Sequence, residues 1–171
     1  AMIRAGFEEI ERLEGILSRH NPAAALGRLN SAGRLADAPP ELLVVLREAL
    51  VMADASGGAF DPTVLPLLRL WERSFAGTGG PPAEVDVGGA LDLVDHRGVE
   101  IDGGTVTLAD PRMAVTLDGI AKGFVVDRTV EVLGARGAER VLVDAGGDMA
   151  TDDRASVREP WTVAIQDPHR L

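Results

Sequence analysis

Residues 116–128 contain the side chains best suited to hold a phosphate. A predicted strand there runs into the turn at Asp118 and Gly119, and a predicted helix follows. The first N–H groups of such a helix, around Gly119 to Ala121, have no intrahelical partners and carry partial positive charge, which suits a phosphate. Lys122 adds a full charge one turn into the helix. Asp118 would repel a phosphate by itself, but it or nearby carbonyls could sit near a bridging divalent cation.

The same residues also have a purely structural interpretation. Asp118 could cap the helix, Gly119 could ease a tight turn, and Lys122 could simply be solvated. The glycine spacing is neither that of a P-loop nor that of a Rossmann fingerprint. From the local pattern alone, both interpretations stay open.

Two further glycine-containing segments allow a ligand-facing role. Residues 57–63 (Gly-Gly-Ala-Phe-Asp-Pro-Thr) could let backbone approach a ligand closely, or could form a helix-to-helix turn. In the second case Asp61 would cap a helix that has Pro62 at its first position. Residues 146–148 (Gly-Gly-Asp) follow a buried-type strand, and they could face a ligand or simply turn a hairpin.

The spacing of apolar residues along the chain predicts the elements that position these segments. Helices are expected over residues 3–17, from 39–40 to the stop at residues 56–58, and over 119–133. A further helix from 61 to 71 is expected to be short or kinked because of Pro66. Loops are expected between the first two helices, up to Ser31, and over 76–82. Strands are expected at 99–101 and 105–108 as a hairpin, and at 113–117, 140–144 and 161–166. This order predicts an α+β fold.

Composition excludes several classes of function. The formal net charge of −10 and the lack of a basic stripe argue against a nucleic-acid partner. The chain has no cysteine, which excludes disulfides and thiolate metal sites. There is no run of about 18 apolar residues to span a membrane, and no signal peptide is visible. His20, His96 and His169 lack metal-site spacing and are interpreted as surface or loop histidines.

Taken in order, these segments resemble the ApbE-type flavin transferases, formerly labelled thiamine-biosynthesis lipoproteins. Residues 18–30 resemble that family's Ser-x-x-x-Pro…Leu-Asn segment, and residues 57–71 its Gly-Gly-Ala-Phe-Asp-Pro-Thr-Val…Pro…Leu-Trp segment. Residues 118–128 resemble its Gly-Ile-Ala-Lys-Gly-Tyr…Asp-Arg segment, and 142–148 and 161–168 the strands that follow. The resemblance covers roughly residues 7–168.

The resemblance implies a T-fold-like antiparallel sheet with packed helices, and Mg²⁺-dependent transfer of FMN from FAD to a threonine or serine hydroxyl of an acceptor protein, with release of AMP. By resemblance, Gly119 would offer its carbonyl to the metal and Lys122 would touch FAD. Further FAD-binding residues would be Asn30, Gly57, Gly58, Asp61 and Asp127, with Asp127 also orienting its helix. The acceptor would belong to an electron-transfer complex, which implies a periplasmic or other extracytoplasmic location.

The chain also departs from the family pattern. Residues 116–119 read Thr-Leu-Asp-Gly instead of Asp-Leu-Gly-Gly, and Phe124 replaces a tyrosine. The family's later His and its Asp-Ala-Leu-Ser-Thr-Ala segment, which complete the reacting site, do not occur before Leu171. We therefore predict one flavin-transferase-like domain over residues 1–171, incomplete at its C-terminal end, with its catalytic residues beyond the chain. The alternative is a shortened flavin-binding module without catalysis. An open sheet edge would also allow a homodimer.

Overall fold

A computed structural model describes residues 1–153 and 160–164 of the chain. The α-helices are α1 (Met2–Leu17), α2 (Ala25–Ala32), α3 (Pro40–Ala55), α4 (Leu65–Thr78), α5 (Glu84–Leu91) and α6 (Ala121–Ala135). The strands are β1 (Arg34–Leu35), β2 (Val99–Asp102), β3 (Thr105–Leu108), β4 (Arg140–Ala145) and β5 (Asp148–Asp153). Two short 3₁₀ helices lie at Pro62–Val64 and His96–Gly98. The predicted α+β class is confirmed.

The described strands form two antiparallel sheets. In the first, β3 lies between β1 and β2, and Val106 pairs with both Leu35 and Ile101. In the second, β4 pairs with β5. Gly146 and Gly147 connect these two strands with φ of 66° and 100°, a backbone region that favours glycine. The hairpin interpretation of residues 146–148 is therefore confirmed.

The main core lies between the first sheet and the helices α2 and α3. These helices contribute leucines that are fully buried, and the sheet contributes Val106, which is fully buried as well. The leucines are Leu26, Leu29, Leu42 and Leu46. On α6, Phe124 is partly buried against this core. The aromatic ring that replaces the family's tyrosine therefore has a packing role that needs no hydroxyl.

Helix α1 packs against α6 through small residues. A Cβ added at Gly6 would lie 3.3 Å from Thr129 Cγ2, so the two helices approach closely there. Thr129 is buried and donates its hydroxyl to the carbonyl of Val125. This contact fixes α6, and with it the phosphate-binding candidate at its N-terminal end.

Three predictions about helices were wrong. Residues 25–32 form α2, not a loop, because Leu26 and Leu29 are buried on one face and Gly33 ends the helix in the left-handed conformation at φ 68°. Helix α4 continues past Trp71 to Thr78, since Pro66 lies in its first turn, where no intrahelical N–H is required. The third is α5, at residues 84–91, where no helix was predicted.

Two predicted strands also differ. Residues 113–117 form no strand; their backbone is held by a side chain instead, as described below. Of the predicted strand over 161–166, residues 161–164 are not in a strand, and the remainder lies outside the described residues. None of the helices within residues 1–153 is long and apolar enough to cross a membrane.

Candidate functional site

The loop over residues 57–63 and the start of α6 meet in the structure. The N–H of Thr116 donates to the carbonyl of Pro62 at 2.8 Å. A Cβ at Gly119 would lie 3.0 Å from Cε2 of the Phe60 ring, so glycine permits this close approach. The two sequence segments singled out separately therefore form one surface.

The N-terminal end of α6 offers fewer free donors at the predicted positions than expected. The carbonyl of Leu117 accepts from the N–H groups of both Ile120 and Ala121, at 2.9 and 2.7 Å. Within the described residues, the N–H groups of Gly119, Lys122 and Gly123 have no hydrogen-bond partner. The prediction was thus wrong for Ile120 and Ala121, and the free donors lie on both sides of them.

Lys122 carries positive charge into this surface. Its Nζ lies 2.9 Å from Oδ2 of Asp148, and both side chains are about half exposed. This ion pair joins α6 to the turn between β4 and β5, so the third glycine segment reaches the same place. Lys122 is also the only lysine in the sequence; the other 16 of the 17 basic residues are arginines.

Arg19 is a site residue that the sequence analysis missed. Its Nε donates to Oδ2 of Asp118 at 2.6 Å, and its Nη2 donates to Oε1 of Glu72 at 3.3 Å. Burial opposes the charge, but these hydrogen bonds outweigh it and raise the pKa of the Arg19 guanidinium. Only 12% of the side chain is exposed. Asp118 is thus partly neutralised by Arg19, which weakens its repulsion of an anion.

Two clefts adjoin these charged residues. The more polar of the two, called the polar cleft, measures about 400 Å³ and lies over the start of α6 and the β4–β5 turn, where Gly119, Lys122 and Asp127 line it. A largely apolar cleft of about 450 Å³ lies between α1, α6 and β4. Asp118 and Lys122 line both clefts, so a ligand with an apolar part and an anionic part could occupy the two together.

Asp127 and Asn30 differ in their surroundings. Asp127 faces the polar cleft, and its carboxylate has no hydrogen-bond or ion-pair partner in the described part of the chain. Asn30 pairs with the backbone of Val115 in both directions: its Nδ2 donates to the carbonyl at 2.8 Å, and its Oδ1 accepts from the N–H at 2.7 Å. Asn30 therefore holds residues 113–117, the segment that leads to Gly119. This is the segment for which the sequence predicts a strand.

Gly57, Gly58 and Asp61 lie beside a different cleft, of about 430 Å³. The two glycines have φ of 63° and 84°, which explains why glycine occurs there. Asp61 accepts from the N–H of Thr63 at 2.8 Å and caps the 3₁₀ helix at Pro62–Val64, as the structural interpretation predicts. Phe60 and Pro62 connect this loop to the Lys122 region through the contacts described above.

His96 lies in the short 3₁₀ helix between α5 and β2, which agrees with the loop interpretation, but its side chain is largely enclosed and not at the surface. Its ring nitrogens lie 3.1 Å from Oδ2 of Asp61 and 2.9 Å from Oδ1 of Asp54, and only 13% of the side chain is exposed. His20 is exposed, as expected, and His169 lies outside the described residues. His96 is 35 residues from Asp61 in the sequence, so residue spacing gave no signal for this contact.

The side chains of the described residues do not form the predicted metal site by themselves. Across the described ranges, no group of three His, Cys, Asp or Glu residues could hold a metal ion. Near Gly119, whose carbonyl was the predicted ligand, the adjacent carboxylate of Asp118 already pairs with Arg19. One carbonyl is too little for the near-octahedral oxygen shell of Mg²⁺. The residues present therefore do not fit a magnesium site made by protein atoms only.

Comparison with known proteins identifies related chains. The profile of the ApbE family matches residues 2–171. The FAD:protein FMN transferase of Treponema pallidum is 33% identical over 190 residues, which cover 99% of this chain and 52% of the relative. The FAD:protein FMN transferase of Vibrio cholerae is 30% identical and is matched over 93% of this chain and 48% of its own length. This chain thus spans about half the length of these curated relatives.

Solved structures give the same relationship. A flavin transferase ApbE from Vibrio cholerae aligns with a TM-score of 0.81 at 27% identity, over 96% of this chain and 56% of that chain. An ApbE protein from Thermotoga maritima aligns with a TM-score of 0.84 over 98% of this chain and 55% of its own, at 24% identity. The second likeness concerns the fold alone.

Proposed function

The chain belongs to the ApbE family, and on that premise we propose that the protein transfers FMN from FAD to a threonine or serine hydroxyl of an acceptor protein. The hydroxyl oxygen forms a new bond to the phosphorus of the FMN half of FAD. The bond from that phosphorus to the bridging oxygen breaks, and AMP leaves with this oxygen. The hydroxyl proton passes to a base or to water.

The observation that carries this proposal is the position of Lys122 between two unlike clefts. FAD has a flat, largely apolar ring system at one end and a pyrophosphate in its middle. The apolar cleft along α1 suits the former, and the charged start of α6 suits the latter. A ligand without both parts would leave one of the two clefts unused.

The residues at this surface can position the pyrophosphate. The free N–H groups of Gly119, Lys122 and Gly123 can donate to phosphate oxygens, and Nζ of Lys122 can exchange Asp148 for a phosphate oxygen. Arg19 keeps Asp118 paired, so this carboxylate does not oppose the anion at full strength. Displacement at phosphorus depends largely on such positioning and on neutralising negative charge.

The proposed reaction includes Mg²⁺ as the cation that binds together with FAD. Mg²⁺ commonly keeps several waters and takes other ligands from substrate phosphates and one or two carboxylates. The carbonyl of Gly119 would be a ligand from this chain, and the described residues do not complete the shell. Bound Mg²⁺ would neutralise charge on the pyrophosphate.

We further propose that the acceptor is a subunit of an electron-transfer complex and that the protein works outside the cytoplasm. Both proposals rest on family resemblance. The homodimer predicted from an open sheet edge also stays a prediction. Among the described residues, β2 lies at an edge of the first sheet, and such an edge can pair with a second copy.

Calorimetric titration of this chain with FAD, with and without Mg²⁺, tests the proposed function. Binding that Mg²⁺ tightens is the expected result, and transfer to an acceptor peptide then becomes the next assay. Binding that is indifferent to Mg²⁺ would favour the alternative, a flavin-binding module without catalysis. An absence of binding under both conditions would contradict the proposal that these residues form an FAD site.

A further inference from the structure

The carboxylate of Asp61 is shared between two partners. Its Oδ1 accepts from the N–H and the hydroxyl of Thr63, at 2.8 and 2.5 Å. Its Oδ2 accepts from the N–H of His96 at 3.1 Å and lies 3.1 Å from Nδ1 of the same residue. Only 9% of this side chain is exposed. One oxygen thus holds its own loop, and the other holds the 3₁₀ helix at His96–Gly98.

The imidazole of His96 has a carboxylate at each nitrogen. Nε2 lies 2.9 Å from Oδ1 of Asp54, on α3, while Nδ1 faces Asp61. A neutral imidazole has one N–H, so it could donate to only one of the two oxygens. The protonated ring has two N–H groups and satisfies both. The geometry therefore fits an imidazolium that bridges α3 and the loop of residues 57–63.

We infer that His96 is a positioning residue of the candidate site: by bridging Asp54 and Asp61, it holds the loop of residues 57–63 against the start of α6. The inference rests on the proposed function in so far as this surface receives FAD. His96 itself lines neither cleft at Lys122, so it acts through the loop and not by contact with the ligand.

The loop passes this constraint to the site through two contacts. Immediately before Asp61, the ring of Phe60 lies against Gly119. Immediately after it, the carbonyl of Pro62 accepts from the N–H of Thr116. A loop released from His96 would loosen both contacts. The backbone around Gly119, which carries the free donors, would then be less well ordered.

The charged groups around His96 set its response to pH. Asp54 on α3 and Asp61 on the loop face its ring. Asp95, which caps the 3₁₀ helix of His96, and Arg97 flank it in the sequence and pair with each other. The hydrogen bond to Asp54, followed by that to Asp61, outweighs partial burial and raises the pKa of His96. The bridge is therefore complete below about pH 6.5, the ordinary pKa of histidine, and is lost as pH rises through the raised value.

Four variants of the chain test the inference. His96→Phe removes both hydrogen bonds, and His96→Lys keeps a positive donor that stays charged at higher pH. Asp54→Asn removes one carboxylate at a side chain that is 75% exposed, so folding is not at risk. Arg97→Gln is the matched control, since it removes a charge at the adjacent residue without breaking the bridge.

The first measurement is FAD affinity across pH 5.5–9. We expect wild-type affinity to fall as His96 loses its proton, and His96→Phe to bind about tenfold more weakly at pH 6, without that pH dependence. His96→Lys should keep its affinity to higher pH, and Asp54→Asn should move the fall to lower pH. Equal affinities and equal pH profiles for His96→Phe and Arg97→Gln would overturn the inference.

The second measurement needs no ligand. Amide hydrogen exchange at Thr63 and Thr116 reports on the loop and on its contact with the α6 segment. Faster exchange at both residues in His96→Phe, with global stability measured alongside, supports the inference; rates like those of Arg97→Gln overturn it. If the wild-type chain does not bind FAD, the proposed function fails, while this exchange experiment still decides the role of His96.

Discussion

At the scale of single residues, Lys122 is expected to supply much of the affinity for an anion. Lys122→Met keeps a similar length but removes the charge and leaves Asp148 unpaired beside the ligand. We expect FAD affinity to fall about tenfold, which corresponds to the loss of one charge-assisted hydrogen bond. A fluorescence titration measures this loss. Lys122→Arg is the control that keeps the charge, and unchanged affinity in Lys122→Met would contradict the prediction.

Arg19 and Asp118 should act as a unit. Arg19→Gln leaves the Asp118 carboxylate without its partner at 2.6 Å, so its negative charge would repel the pyrophosphate more strongly. We expect weaker FAD binding in Arg19→Gln and a substantial recovery when Asp118→Asn is added. A double-mutant cycle on FAD affinity measures the coupling between the two residues. Losses that simply add would mean that Arg19 acts independently of Asp118.

At the scale of the elements, two glycines in helices should respond oppositely to alanine. A Cβ at Gly27, in α2, would lie 2.2 Å from the backbone carbonyl oxygen of Asn21, so the backbone would have to move. A Cβ at Gly15, in α1, would meet nothing within 4 Å. We expect Gly27→Ala to destabilise the fold by about 2 kcal/mol or more, and Gly15→Ala to stabilise it by about 0.5–1 kcal/mol.

Urea unfolding of the two variants checks this pair of expectations, provided that the dependence of the unfolding free energy on urea concentration stays equal to that of the wild type. Gly15→Ala serves as the matched control because it makes the same chemical change in another helix. Equal shifts of the midpoint in the same direction would show that the short contact at Gly27 does not govern α2.

The elements also show which features the sequence could predict. Helices α1, α3 and α6 have long apolar stripes, and their positions were predicted to within a few residues. Helix α5 has no buried residue to produce a stripe, and α2 is only eight residues long, so periodicity did not reveal them. Residues 113–117 form a short apolar run like that of a buried strand, but the amide of Asn30 takes the place of a neighbouring strand.

The candidate site was predictable in part for a related reason. Glycine-rich segments and a nearby lysine are local signals, and Lys122 and Gly119 do lie at one surface. Arg19 and Asp118 are 99 residues apart in the sequence, and no spacing rule connects them. The bridge from His96 to Asp54 and Asp61 likewise depends on how α3 and the later 3₁₀ helix pack.

At the scale of the whole molecule, the acidic surplus should slow the approach of FAD. The formal net charge of −10 repels an anion over distances that salt screens, because the Debye length is about 10 Å at 0.1 M. We expect the association rate constant for FAD to rise roughly twofold between low and physiological ionic strength. Stopped-flow flavin fluorescence measures this rate. Uncharged riboflavin is the control, and a falling rate for FAD would show that the local positive charge dominates the encounter.

The solitary lysine has a practical consequence for chemistry on this protein. Apart from the α-amino group of Ala1, Lys122 carries the only primary amine in the sequence, and it lies half exposed where the two clefts meet. An acylating reagent would therefore attach a reporter group at Lys122 and at the α-amino group of Ala1. A bound ligand would shield Lys122 and leave the α-amino group reactive. The ratio of the two adducts, measured by mass spectrometry, would then report the fraction of protein with bound ligand. The adduct at the α-amino group serves as the internal standard.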